Sequence, residues 1–396
     1  MNIKNRIKKL ASEYASEIIT NRRHLHQHPE LSFEEHNTSK FIFNKLTEYG
    51  LKSINGIAST GIVALIEGNN PRKNVIALRA DMDALPINEQ NDIPYKSKNN
   101  GIMHACGHDV HIASLLGVAR ILNDIRDQFE GTVKLIFQPG EEKAPGGATK
   151  MIEEGVLKNP PPESILGQHV MSQLEVGKVG FKPGVYMASA DEIYIKVIGK
   201  GGHAAMPDDN IDPILIASHI IVALQQIVSR HANPKIPTVL SFGKIKGDGA
   251  TNVIPNEVHI EGTFRTLNED WRASAHKKMK YMAESIANGM GADIDFTILK
   301  GYPFLKNNEE LTIQSKVFAI EFMGEENVVD LDIWMAAEDF AYFSQSIDAC
   351  FYRLGVRNER KGIVSAVHTP TFNIDEKALE TGTGLMAWLA VKNLGN

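Results

Sequence analysis

The stretches Asn74–Pro86 (NVIALRADMDALP) and Thr132–Glu142 (TVKLIFQPGEE) each run from a short β-rich apolar segment into a loop dense in carboxylates. Further β-rich runs, IVALIEG at Ile62–Gly68 and the segment Ser164–Val170, share this character, and the helical stretch His111–Asp127 lies between them. Alternation of strand and helix predicts an α/β domain with a central, mostly parallel sheet flanked by helices. Each strand empties into a chemically loaded loop: RADMDALP, QPGEEKAPGG and LGQHV. Ligands of open α/β sheets collect outside the carboxyl ends of the strands, so these loops are expected to converge on one site.

Beyond Tyr186 the pattern changes. Strand Asp191–Ile198, helix Pro213–Arg230, strands Thr238–Ile245 and Glu257–Thr266, helix Asp270–Asn288 and strand Asp293–Leu299 follow in the order β-α-β-β-α-β. That order is the signature of a ferredoxin-like α+β unit. The α/β pattern resumes with Asp339–Ser344, the strand-like CFYRLG at Cys350–Gly355 and a last helix over Asp375–Asn393. Residues 1–185 and 303–396 are therefore expected to form one discontinuous domain, with 186–302 inserted into it.

Composition narrows the function classes. The chain has 396 residues, 43% hydrophobic and 23% charged, which fits a globular protein of two or three domains. Lys+Arg 42 against Asp+Glu 48 leaves a net charge of −6, and no basic run offers the footprint of a nucleic-acid binder. The basic N-terminal segment lacks an uninterrupted apolar core and reads as an amphipathic helix, so a cytoplasmic enzyme is expected. The apolar stretch Ile211–Val228 is broken by Asp212, Pro213, Ser218, His219, Gln225 and Gln226, which argues against a bilayer span and a membrane partner. Two cysteines, Cys106 and Cys350, make no disulfide framework.

Chemistry concentrates in a few loops. In MHACGHDVH, Cys106 and His108 stand two apart around Gly107, so a turn or extended backbone lets both face one cation. Burial of the cysteine beside surface histidines explains the motif equally well. Asp81 and Asp83 are also two apart; one can hold a ligating histidine, or Asp83 can simply cap the next turn. Glu141 and Glu142 follow the strand and its Pro-Gly turn, where one carboxylate can bind metal while the other serves as a general base, or both can be solvated. His169 and His368 are single histidines beside β-rich segments. Together Cys106, His108, Glu142, His169 and His368 offer ligands from four loops with Glu141 left over, an inventory that suits two metal ions better than one.

Eight segments, taken in order, carry a resemblance that spans nearly the whole chain: RRHLHQHPELSFEE, ALRADMDALPI, MHACGHDVH, FQPGEE, GQHV, GGHAAMP, TNVIPNEVHIEGTFR and VHTPTF. The sequence resembles the amidohydrolase branch of the dinuclear metallopeptidases, which includes hippurate hydrolases, aminoacylase-like enzymes, diaminopimelate deacetylases and plant auxin-conjugate hydrolases. The resemblance implies a zinc-peptidase-like catalytic domain and makes 186–302 a mobile lid that often mediates dimerisation. It implies two divalent metal ions held by Cys106, His108, Glu142, His169 and His368, with Glu141 as the base that later protonates the leaving amine. His203, Asn252 and Arg265 are implied as substrate contacts from the lid, His203 in cis or from a neighbouring subunit, and the catalytic set becomes Glu141, His203 and Asp83. Manganese or zinc is the expected metal, with cobalt or nickel also compatible.

The expected activity is hydrolysis of the amide of an N-acyl amino acid, with a dipeptidase or carboxypeptidase on the same scaffold and a catalytically silent metal-bound binding protein as rivals. The triplet His24, His26, His28 is not expected to bind metal, because within a helix only His24 and His28 share a face. There is no HExxH, GxSxG, Walker A or PCxxC motif, and a loose GxGxxA at Gly382–Ala387 follows a helical pattern.

Overall fold

The computed structural model describes residues 2–395, which divide into a larger unit (residues 2–184, 306–332 and 339–395) and a smaller one (residues 185–305 and 333–338).

An eight-stranded sheet forms the larger unit. Across it lie Ser53–Ile57, Gly61–Glu67, Thr132–Gln138, Val75–Asp81, Ser164–Glu175, Asp348–Arg357, Val179–Phe181 and Val328–Asp330, in that order. The four strands from Thr132–Gln138 to Asp348–Arg357 run parallel, while antiparallel neighbours continue the sheet on either side. Every residue of Val75–Asp81 and Thr132–Gln138 is buried, as central parallel strands require.

Three helices, Ile3–Gln27, His108–Asp124 and Lys377–Asn393, pack on one another. Their apolar residues join the strands in one core that includes Leu25, Leu78, Leu116, Leu135, Tyr352 and Leu389. The helix expected over His111–Asp127 instead starts at His108 and ends at Asp124. Gly107 precedes it with φ +82, and a Cβ there would sit 2.6 Å from Val170 Cγ2, so the helix can begin this close to the sheet only after a glycine. A further helix, Glu309–Met323, lies outside the expected elements; the Asn308 side chain caps it by accepting from Leu311 N at 2.9 Å.

One buried polar device organises the loop after the short helix Gly147–Glu153. Lys134, in the middle of its strand, donates from Nζ to the carbonyls of Val156 (2.9 Å), Lys158 (2.6 Å) and Pro160 (2.7 Å). Burial pushes this ammonium down to about 8, and its three N–H donors match the three carbonyls.

The smaller unit is a four-stranded antiparallel sheet in the order Thr238–Lys246, Glu257–Thr266, Asp191–Ile198, Asp293–Lys300. Helices Pro213–Leu224 and Glu269–Gly289 supply Ile216, Ile220, Leu224, Ala275 and Met279 to its separate core. The first of these is shorter than the expected Pro213–Arg230, because a wider turn takes over at Ile227–His231. Among the described residues one helical run, Pro213–His231, is long and apolar enough by composition to cross a membrane. One side of it packs in the core, while Ile214, Leu215 and Val222 stay exposed, Val222 at 74%.

Candidate metal centre

The fold delivers the loops of the larger unit to one place. Cys106 lies just before the first residue of helix His108–Asp124, and Glu141 and Glu142 follow the strand Thr132–Gln138. His169 lies within Ser164–Glu175, and His368 sits on a loop whose backbone N–H donates to Ala105 O at 2.8 Å. His368 holds φ +62, a left-handed conformation uncommon for a residue with a Cβ and frequent where function over-determines the backbone.

Donor atoms of Cys106, His108 and His169 lie within 4.8 Å of one another, and so do those of Cys106, Glu142 and His368. The Cys106 sulfur is therefore common to two trios. Its Sγ is 3.5 Å from His169 Nε2, while His368 Nε2 is 3.3 Å from Glu142 Oε1. His169 Nδ1 donates to Val170 O at 2.7 Å, which leaves its Nε2 lone pair turned toward the thiol. A third trio, His108, Glu141 and Glu142, places the additional carboxylate beside the others. Glu141, Cys106, His108 and His169 are buried, Glu142 is half-buried and His368 is exposed.

The electrostatics depend on this crowding. Burial raises the Cys106 thiol above its ordinary range, and neighbouring Glu142 adds to the rise. Burial alone would lower His108, but Asp81 and then Cys106 hold it well above the usual imidazole value. His169 is pushed well below it by burial, with Arg353 contributing. His368 rises to about 10 through contacts with Cys106 and Glu142.

Among the described residues, both ring nitrogens of His108 and Glu142 Oε1 are buried and make no hydrogen bond, although Asp83 Oδ1 is 3.3 Å from His108 Nδ1 and His368 Nε2 is 3.3 Å from Glu142 Oε1. Buried polar atoms are rarely left so, and a divalent cation is a partner that would satisfy them. Sulfur, imidazole and carboxylate donors around a shared thiol fit a pair of such ions.

Asp81 and Asp83 divide the supporting work. Asp83 accepts the backbone N–H of Glu141 (3.0 Å) and Glu142 (2.9 Å) and the Ser32 hydroxyl (2.6 Å), so it sets the course of the carboxylate loop. Asp81 accepts from Arg79 Nη1 at 2.6 Å and His111 Nδ1 at 2.5 Å. Arg79 also donates to Asp339, whose backbone N–H reaches Glu141 Oε1 at 3.3 Å.

Arg79, His111 and Asp339 carry no signal in the sequence pattern that marks them as supports. His26, which is not expected to bind metal, has partners that local spacing does not reveal. His26 is buried between Asp109 Oδ2 (2.8 Å) and Glu89 Oε1 (3.1 Å), and Arg22 Nε donates to the same Asp109 oxygen at 2.7 Å. This cluster ties the first helix to the turn that carries His108. His24 and His28, by contrast, meet each other with ring centroids 4.6 Å apart.

His203, Asn252 and Arg265 all fall in the smaller unit. His203 pairs with Val253 in a two-stranded ladder, and Ala204 N donates to Asn252 O at 3.0 Å, so His203 and Asn252 are neighbours, both exposed. Arg265 stands apart on Glu257–Thr266, half-buried, with Nη1 donating to Met335 O at 3.2 Å.

Comparison with known proteins completes this picture. Residues 77–392 match the model of peptidase family M20/M25/M40. The N-acyl-L-amino acid amidohydrolase of Geobacillus stearothermophilus is 42% identical over 307 residues, spanning 78% of this chain and 82% of that protein. Thermostable carboxypeptidase 2 of Saccharolobus solfataricus is 38% identical over 395 residues, 99% of each chain. The crystal structure of the Bacillus subtilis protein YXEP, a dinuclear metal binding peptidase from the M20 family, shares 36% identity and a TM-score of 0.80, covering 97% of this chain and 99% of that one.

Proposed function

The chain belongs to peptidase family M20/M25/M40, and from that premise we propose that it is a metal-dependent amidohydrolase that splits N-acyl amino acids into a carboxylic acid and a free amino acid. The observation that carries this reading is the pair of donor trios sharing Cys106, with Glu141 beside them. Cys106, His108, Glu142, His169 and His368 are the proposed ligands of two divalent ions, manganese or zinc first, with cobalt and nickel also compatible. Such ions supply Lewis acidity and bring the pKa of a water toward neutrality.

The chain's own groups do the rest. Glu141 takes the proton of the attacking water and returns it to the departing amine. Asp83 keeps Glu141 and Glu142 in place through their backbone N–H groups. From the smaller unit, the lid of this reading, His203 donates to the oxygen on which charge builds, and Asn252 and Arg265 bind the substrate. Burial lowers the pKa of the Arg265 guanidinium, and a substrate carboxylate would offset that desolvation through two parallel hydrogen bonds. A silent binding protein has no use for Glu141, a carboxylate beyond those the two trios need.

The relative named as a carboxypeptidase keeps peptide hydrolysis as a second reading. A screen of hippurate, N-acetyl-amino acids and dipeptides after chelation and metal add-back separates the two. Acyl-amino acids are expected to turn over fastest, and only with metal; preference for substrates with a free amino terminus would favour the peptidase. Arg265→Ala is expected to raise KM for acyl-amino acids by about 10-fold or more with kcat nearly kept, since losing even one of the two charged hydrogen bonds is worth about that factor. An unchanged KM removes Arg265 from the substrate site.

The exposed apolar face of Pro213–Leu224, together with the edge of Thr238–Lys246 that is unpaired among the described residues, supports self-association through the smaller unit. Light scattering is expected to give the mass of a homo-oligomer and Val222→Asp that of one chain; a wild-type monomer at micromolar concentration contradicts it. Both cysteines are free and buried, in keeping with a reducing cytoplasm, where we place the enzyme.

A further inference from the structure

His111 closes the MHACGHDVH motif and is not among the proposed ligands, yet it lies between two of them. Its ring centroid is 5.5 Å from that of His108 and 4.6 Å from that of His169. It is buried, at 2% exposure, and sits one helical turn after His108, on the same face of the helix. Both of its nitrogens are engaged. The backbone N–H of Val170 donates to Nε2 at 2.9 Å, and Nδ1 meets Asp81 Oδ1 at 2.5 Å.

A backbone N–H can only donate, so Nε2 must carry the lone pair and Nδ1 the proton. His111 therefore has no nitrogen left for a cation. The proton on Nδ1 points at a carboxylate that is itself anchored, because Arg79 Nη1 donates to the other oxygen of Asp81 at 2.6 Å. The chain of contacts runs from Arg79 through Asp81 and His111 to the N–H of Val170.

Val170 is the residue whose carbonyl accepts Nδ1–H of His169 at 2.7 Å. The two imidazoles thus grip one residue, His111 by its N–H and His169 by its C=O. The position of that residue decides where His169 Nε2 lies relative to the Cys106 sulfur, now 3.5 Å away. A metal ligand is held in orientation by the partner of its other nitrogen, and here that partner is a carbonyl whose own residue needs holding.

We propose that His111, held in a single tautomer, is a positioning residue of the metal centre: it fixes the backbone at Val170 and through it aims the His169 ring at the ion that Cys106 and His108 would also bind. This rests on the proposed reading of the site as a dinuclear centre.

Three variants of the full chain test it, read by cobalt(II) titration against a competing chelator and by the visible spectrum of the cobalt-loaded protein. His111→Asn can keep a donor to Asp81 but cannot reach the Val170 N–H; His111→Phe keeps the ring and loses both bonds; His111→Gln can keep both bonds. Asn and Phe are expected to weaken one of the two cobalt sites by about 10- to 100-fold and to alter the cobalt spectrum, with metal-free melting close to wild type. Gln is expected to restore most of the affinity. Should the Phe variant fail to fold, the Asn variant decides.

A folded Asn or Phe variant with wild-type affinity and spectrum overturns the inference, as does a folded Gln variant no tighter than Asn. If the wild-type chain takes up two cobalt ions and the Asn variant matches it, this inference alone falls. If the wild-type chain takes up none, the reading of the site as a metal centre falls and this inference with it.

Discussion

Replacing Glu141 by alanine or glutamine is expected to lower turnover at least about 100-fold, the scale of a lost general base, while metal content and melting stay close to wild type. The separation of effects follows from where the side chain sits. Glu141 shares a trio with His108 and Glu142, but the two trios that share Cys106 are complete without it. Its backbone N–H is held by Asp83 at 3.0 Å whatever the side chain, so the loop that carries Glu142 keeps its anchor. Glutamine preserves the oxygen that accepts Asp339 N–H at 3.3 Å and removes only the ability to take a proton. The loss should appear in kcat and kcat/KM together, because the proton moves in the transition state and not in the ground state. Turnover within a few-fold of wild type in either variant removes Glu141 from the base role.

Cys106→Ala is expected to do the reverse, disturbing metal binding first and activity as a consequence. The sulfur is the one donor common to both trios, so its loss would take a candidate ligand from each of the two proposed sites at once. Losing a residue that only orients a ligand typically weakens metal affinity 10- to 100-fold, so losing a shared ligand should exceed about 100-fold. Metal analysis after dialysis is expected to find fewer than two ions per chain, with activity falling in proportion. The fold should survive, because alanine fits wherever the cysteine side chain fits and Cys106 belongs to no disulfide. A Cys106→Ala protein that retains two ions and full activity contradicts the shared-thiolate arrangement.

Much of this is legible in the amino-acid sequence. The strands Asp191–Ile198 and Glu257–Thr266 begin and end where the residue pattern places them, because alternating or continuous apolar character leaves few other registers. Helix Glu309–Met323 escaped notice for a physical reason: it buries Thr312 and Ser315 while Ile313 and Val317 are exposed at 53% and 56%, so no apolar stripe marks its inner face. Its only local signal is the cap, Asn308 followed by two glutamates. Residues 333–338 belong with the smaller unit, an association that depends on contacts such as Arg265 to Met335 and leaves no trace in local pattern.

The site divides along the same line. Residues in dense motifs, such as Cys106 and His108, announce themselves by spacing. Their supports do not, because each is an ordinary residue until its distant partner arrives: Asp109 meets Arg22 and His26, and Asp339 meets Arg79 and Gln138. His111 stands inside a motif, but its role depends on one backbone N–H contributed by a strand distant in sequence from its helix. The tandem His24, His26, His28 shows the converse, since neighbours in sequence part company once the helix forms, His26 inward and His24 beside His28.

The most direct measurement is the metal count of the purified wild-type chain, with the absorption spectrum of its cobalt(II) form recorded alongside. Two ions per chain and a sulfur-to-cobalt charge-transfer band that vanishes in Cys106→Ala are the predicted result. A single ion, or two ions with no sulfur signature, would contradict a centre built around one shared thiolate.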